Sequence, residues 1–124
     1  MSANETASYI VEDLKNKGKK VPGFGHRYHT EYPRAIKLLK VAKQYDCSGK
    51  HVELAVEIEM ALFEEKGIKM NVDGANAAIL SDMEFNWRLG CGMFIIGRIP
   101  GILAHINEEI SNEEPFRKIT ELDR

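Results

Sequence analysis

The residues best suited to chemistry are gathered in one stretch, Val21-Pro22-Gly23-Phe24-Gly25-His26-Arg27-Tyr28-His29, with Pro33-Arg34 close behind. Glycine lets a backbone turn tightly and lets a ligand approach its amides. Pro22 biases the residues before it towards an extended conformation. The imidazole of His26 is of the one side-chain type that ordinarily titrates near neutrality. Arg27 and Arg34 add fixed positive charge suited to carboxylate or phosphate. The same pattern also describes a loop whose glycines serve geometry alone and whose histidine is simply exposed. Two further groups stand out. Asp73 lies in Asn71-Val72-Asp73-Gly74, where an aspartate at a helix start usually just satisfies amides. Arg98 is a lone charge in an apolar run, where arginine usually pairs with a carboxylate of the protein or of a ligand. His105, on an apolar face, reads as a packed histidine rather than a catalyst.

The rest of the chain must position these groups. Its 124 residues suffice for one domain with a real core, and 44% hydrophobic and 29% charged residues are ordinary for a globular protein. A net charge of -2, from 17 basic and 19 acidic residues, argues against broad nucleic-acid binding but leaves room for a local anion site. The sequence shows no uninterrupted apolar run long enough to span a bilayer. Its N-terminus lacks the basic and apolar regions of a signal peptide, so a cytoplasmic location without membrane attachment is expected. Cys47 and Cys91 fit neither a metal pair nor a disulfide framework, and no metal-ligand spacing appears. Cys91, in Gly90-Cys91-Gly92-Met93, is expected in the core.

Helical periodicity dominates. Ser2 and Glu5 have the form of a capping box for a helix over residues 3–16, which Gly18 stops. Lys15, Lys17, Lys19 and Lys20 form a basic cluster just before the glycine loop. A helix from Pro33 to about Tyr45 follows, with Thr30 or Glu31 near its cap. The next runs from Lys50 to Lys66, stopped by Gly67. Residues 68–72 could be a short extended piece. Either Asn71 or Asp73 could cap the helix beyond. Trp87 to Ile110 reads as two helical pieces joined or bent near Pro100. Pro115 and Arg117 lie in a polar tail. The expectation is an all-α domain of five or six helices, with an N-terminal helix over residues 1–18 and the remainder, 19–124, forming one compact unit with it.

In this order and spacing, Gly23-Phe24-Gly25-His26-Arg27 with Pro33-Arg34, Asn71-Val72-Asp73, and Gly97-Arg98-Ile99-Pro100-Gly101 with Ala104-His105 resemble the small domain of the citrate synthase superfamily. That group includes citrate and methylcitrate synthases, citryl-CoA lyase and the lyase portion of ATP-citrate lyase. The Asn-Val-Asp-Gly form and the Glu-Pro-Phe-Arg tail look nearest to citryl-CoA lyase. The resemblance covers residues 19–117 and implies roles. His26 would polarise the carbonyl of oxaloacetate or handle the citryl hydroxyl. Asp73 would take the proton from the acetyl-CoA methyl. Arg34, Arg98 and Arg117 would hold substrate carboxylates. Val21, Pro22, Gly23, Phe24 and Gly25 would cradle the adenine end of coenzyme A, with Lys19, Lys20 and Lys69 near its phosphates. Arginine suits a dicarboxylate because its planar fork binds in bidentate fashion.

The resemblance also implies something missing. Family enzymes carry a larger helical domain that supplies another active-site histidine and most of the dimer interface. Here only residues 1–20 precede the loop, and the four histidines are His26, His29, His51 and His105. Domain closure needs two walls to exclude water. The chain is therefore expected to need a large-domain partner, or to self-associate, and to be inactive alone. The alternative is a non-catalytic coenzyme A-binding or self-associating remnant. Two departures from the family pattern are Tyr32, in place of an acidic residue, and Glu84, where glycine is common and where glutamate would disturb a helix end.

Overall fold

The computed structural model describes residues 2–25 and 32–115. Among them the chain is all-α: α1 (Ala3–Asn16), α2 (Pro33–Gln44), α3 (Lys50–Lys66), α4 (Val72–Asp82) and α5 (Gly90–Asn112), with a 3-10 turn at Trp87–Leu89. It divides into two compact units, Met1–Gly90 and Cys91–Arg124.

In the first unit α3 is the centre: α1 and α4 both pack on it, and α2 packs on α4. Each helix begins and ends for a local reason. The Ser2 hydroxyl accepts from the Glu5 amide while the Glu5 carboxylate accepts from the Ser2 amide, which is the anticipated capping box. Gly67 closes α3 in the left-handed region at φ 65°, which costs glycine little. The N-cap of α2 is Tyr32, next in the chain to the Thr30 and Glu31 expected near the cap, and Pro33 occupies the first turn, where its missing N–H goes unneeded. Thr30 and Glu31 themselves lie outside the described residues.

The α3 helix faces two ways, and so there are two apolar clusters. Val52 and Ala55 join Ala35, Met70, Ala75 and Ala78 in one. Ile58 and Leu62 join Ala7 in the other. Small alanines at the crossings let helix backbones approach closely. Phe24 packs against both clusters, so the glycine loop is anchored in the core through its aromatic residue.

Asp82, the last residue of α4, closes the unit at its other end. Its carboxylate accepts from the amides of Gly49, His51 and Val52 at 2.6, 2.9 and 3.0 Å, and its Oδ1 lies 2.8 Å from Nδ1 of His51. The α3 N-terminus has no side-chain cap of its own, so Asp82 caps it from another helix. Burial works against the charge and pushes the Asp82 pKa up. The backbone amides of His51, Val52 and Gly49 and the His51 ring outweigh this and bring it down to about 2.

The second unit is built on α5. Pro100 lies inside one continuous helix, not at a junction between two pieces. Proline removes one intrahelical hydrogen bond, and the flanking turns carry the helix through. That continuity revises another expectation. Joined with the preceding turn, Trp87–Asn112 holds an 18-residue window with a mean hydropathy of 1.6 and is long and apolar enough, by length and composition, to cross a membrane. In the sequence, Arg98 and the glycines made this run look interrupted. Cys91 is exposed, contrary to the core position expected for it, because no residue of α5 is buried.

Candidate functional site

The glycine loop is held against the start of α4 by its own backbone. Residues 23–25 lie antiparallel to residues 69–71 through one bridge, Phe24 with Met70. The Asn71 amide donates to the Gly23 carbonyl at 3.0 Å, and the Gly25 amide donates to the Lys69 carbonyl at 2.8 Å. The extended piece expected at residues 68–72 is thus a single bridge and not a strand.

Two glycines make the approach possible. Gly23 has φ 85°, and a Cβ there would fall 2.7 Å from the Gly74 Cα. A Cβ on Gly74 would run into the Gly23 carbonyl and come within 2.9 Å of Met70 Cγ. Neither position accepts a side chain unless backbone moves.

Asn71 settles which residue caps α4. Its Oδ1 accepts from the amides of Asp73 and Gly74 at 2.9 and 3.2 Å. Its Nδ2 donates to the Gly25 carbonyl at 2.7 Å. Asp73 is therefore not spent on capping. It stands exposed on the first turn of α4, and among the described residues its carboxylate has no partner.

On another side of the loop lies a cleft of about 490 Å³, between the ends of α1 and α3. Val11, Val21, Phe24, Leu62 and Ile68 give it apolar walls, and Lys15, Lys19, Lys20 and Lys66 give it positive charge. One acid, Glu65, also lines it and is ion-paired with Lys15 at 2.5 Å. The shared hydrogen bond holds the Lys15 pKa above its ordinary value and that of Glu65 below. An apolar cleft rimmed by ammonium groups can take a flat ring with attached anionic groups. Lys69 is exposed, with its Nζ 5.6 Å from the centre of the Phe63 ring.

The structure thus brings Val21, Gly23, Phe24, Gly25, Lys20, Lys69 and Asp73 onto one loop, one bridge and one helix start. Pro22 is exposed at the turn of the same loop. Arg34 is exposed on the first turn of α2, which packs on α4. Arg98 belongs to the second unit, where its guanidinium stacks 5.1 Å from the centre of the Phe94 ring. His105 is exposed and its Nδ1 lies 3.3 Å from a Glu108 carboxylate oxygen, a contact within its own helix. His26 and Arg117 lie outside the described residues. Sequence reasoning missed Gly74, the second task of Asn71, and the roles of Lys66 and Glu65 in the cleft. A glycine in the first turn of α4 was the available signal, since glycine inside an element often marks close backbone approach.

An all-α small domain with this loop and this helix start defines a recognisable class. The model of the citrate synthase C-terminal domain matches residues 1–119, and the chain belongs to that family. It is similar to citryl-CoA lyase from Hydrogenobacter thermophilus, with a TM-score of 0.82 and 40% identity over all of this chain and 48% of that one. Citrate synthase from Thermotoga maritima follows at a TM-score of 0.74 and 26% identity, over 95% of this chain and 34% of that one. Citrate synthase of Synechocystis sp. is 34% identical over 94% of this chain and 31% of its own length. The chain therefore spans about a third of that curated relative and about half of the lyase.

Proposed function

We propose that the chain is the part of a citrate synthase or citryl-CoA lyase type enzyme that binds a coenzyme A thioester and presents the proton acceptor. The observation that carries this reading is the clamp of the glycine loop on the start of α4. It joins the basic cleft of about 490 Å³ to the Asp73 carboxylate, which has no partner among the described residues. In this reading Val21 to Gly25 and the cleft hold the nucleotide end, with Lys19, Lys20 and Lys69 facing its phosphates. Asp73 takes a proton from the acetyl methyl group. The methyl carbon then attacks the keto carbonyl of an oxaloacetate-type substrate, polarised by His26, and a proton reaches the new alkoxide oxygen. In the lyase direction each step runs backwards. Arg34, Arg98 and Arg117 hold the carboxylates.

The greater likeness to citryl-CoA lyase favours the lyase direction. The apolar surface of α5 and the share of each relative that this chain spans favour completion by a large-domain partner. The same apolar surface also supports a second reading, a coenzyme A-binding domain that associates with its own kind and lacks turnover. Mixing the chain with the remaining portion of a family enzyme and assaying citryl-CoA cleavage separates the two. Recovered cleavage that falls at least about a hundredfold in Asp73→Asn supports the enzyme. Binding of acetyl-CoA with no turnover under any pairing favours the second reading.

A further inference from the structure

Asn71 does more than cap a helix. Its amide has one orientation that satisfies every neighbour: Oδ1 faces two N–H groups, those of Asp73 and Gly74, and Nδ2 faces the Gly25 carbonyl. Turning the amide over would set oxygen against oxygen and nitrogen against two donors. Its backbone amide is also spent on the loop, at the Gly23 carbonyl. Each end of this residue therefore holds a different element. One end fixes the first turn of α4, from which Asp73 projects. The other fixes the loop at the residue where the chain passes on to His26.

We propose that Asn71 is a positioning residue. It sets the distance between the glycine loop and the Asp73 carboxylate, and so the register of a loop-bound thioester on its proton acceptor. This rests on the functional reading above for the ligand, but the clamp itself does not.

The two tasks can be separated by substitution. Serine and aspartate cap helices about as well as asparagine, so Asn71→Ser and Asn71→Asp keep an acceptor for the α4 amides. Aspartate carries no side-chain donor, and the serine hydroxyl, on a shorter side chain, does not reach the Gly25 carbonyl from the capping position that the asparagine Nδ2 spans. The pair also controls for charge, since only one of them adds a negative group beside Asp73. Two backbone bonds and the packing of Phe24 still hold the loop, so the loss is one hydrogen bond and not the fold.

Amide hydrogen exchange by NMR reads the clamp without any ligand. In both variants the amides of Gly25 and Asn71 should exchange about tenfold faster, as the loss of one hydrogen bond implies, while those of α4 from Ala75 onward keep their protection. Titration with acetyl-CoA reads the consequence: affinity should fall about five- to tenfold in both, with helicity by circular dichroism unchanged. Exchange at Gly25 and Asn71 equal to wild type in both variants overturns the clamp. Loss of protection throughout α4 overturns it too, since Asn71 would then be acting as a cap alone. Faster exchange with unaltered acetyl-CoA affinity keeps the clamp and removes its role in placing the thioester. If the wild-type chain takes up no acetyl-CoA, the functional reading fails and the exchange result still decides the clamp.

Discussion

Replacing Asp82 by asparagine should destabilise the first unit in a way that depends on pH. The carboxylate is 95% removed from solvent, with a side-chain exposure of 5%. It ionises at about 2 where an ordinary aspartate does so at 3.8. That difference corresponds to about 2 kcal/mol of folding stability at neutral pH. The sign follows from the direction of the shift. A lowered folded-state pKa means the unfolded chain binds the proton more readily, so the contribution is complete above the unfolded pKa. It fades as pH falls through 4 towards 2, being about half at pH 3 and nearly absent at pH 2. Asparagine keeps one acceptor oxygen and loses the charge, leaving at least one of the amides of Gly49, His51 and Val52 poorly served. Urea unfolding followed by circular dichroism at pH 7 and pH 3 measures both quantities. Asp82→Asn should cost about 2 kcal/mol at pH 7 and about 1 kcal/mol at pH 3. An equal cost at the two pH values, or a cost below about 0.5 kcal/mol at pH 7, refutes the claim that the amides of α3 hold this carboxylate ionised.

Gly74→Ala should cost about 1–3 kcal/mol by urea titration, because its Cβ would run into the Gly23 carbonyl and Met70 and the loop backbone must shift to admit it. Gly97→Ala is the matched control: open space surrounds its Cβ, and a helix gains from alanine, so stability should hold or rise. Glu84→Gly should stabilise by about 1 kcal/mol in thermal unfolding, since Glu84 sits at φ 61° just past the end of α4, a conformation costly to side chains. A loss of stability there means contacts of the glutamate outweigh its strain. Glu65→Gln releases Lys15 from its ion pair and should tighten acetyl-CoA binding by about two- to fivefold at low salt, an advantage that vanishes in about 0.5 M salt. An unchanged affinity at low salt separates the cleft from the nucleotide.

Periodicity and caps made most of the fold legible. The Ser2–Glu5 pair, Gly18 and Gly67 each mark a helix end by local chemistry, and each does so in the structure. The extent of α5 was less legible, because Pro100 reads locally as a break while the surrounding turns tolerate it. The family followed from ordered short motifs, while the pairing of the glycine loop with residues 69–71 had no local signal. The sequence could not show that Asp82 caps α3, since the two lie far apart in the chain and no local signal joins them. Nor could it divide the labour between Asn71 and Asp73, because both are good caps and only the position of the Gly25 carbonyl decides between them.

The central claim is that the loop clamped on α4 holds a coenzyme A thioester beside a carboxylate whose work is proton transfer. Calorimetric titration of acetyl-CoA into the wild-type chain, Asp73→Asn and Gly23→Ala tests it directly. The expected result is binding by the wild type, binding within about twofold of it for Asp73→Asn, and loss of binding for Gly23→Ala, whose Cβ would force the loop off α4. Gly23→Ala binding as tightly as the wild type, or no heat from the wild type, would contradict it.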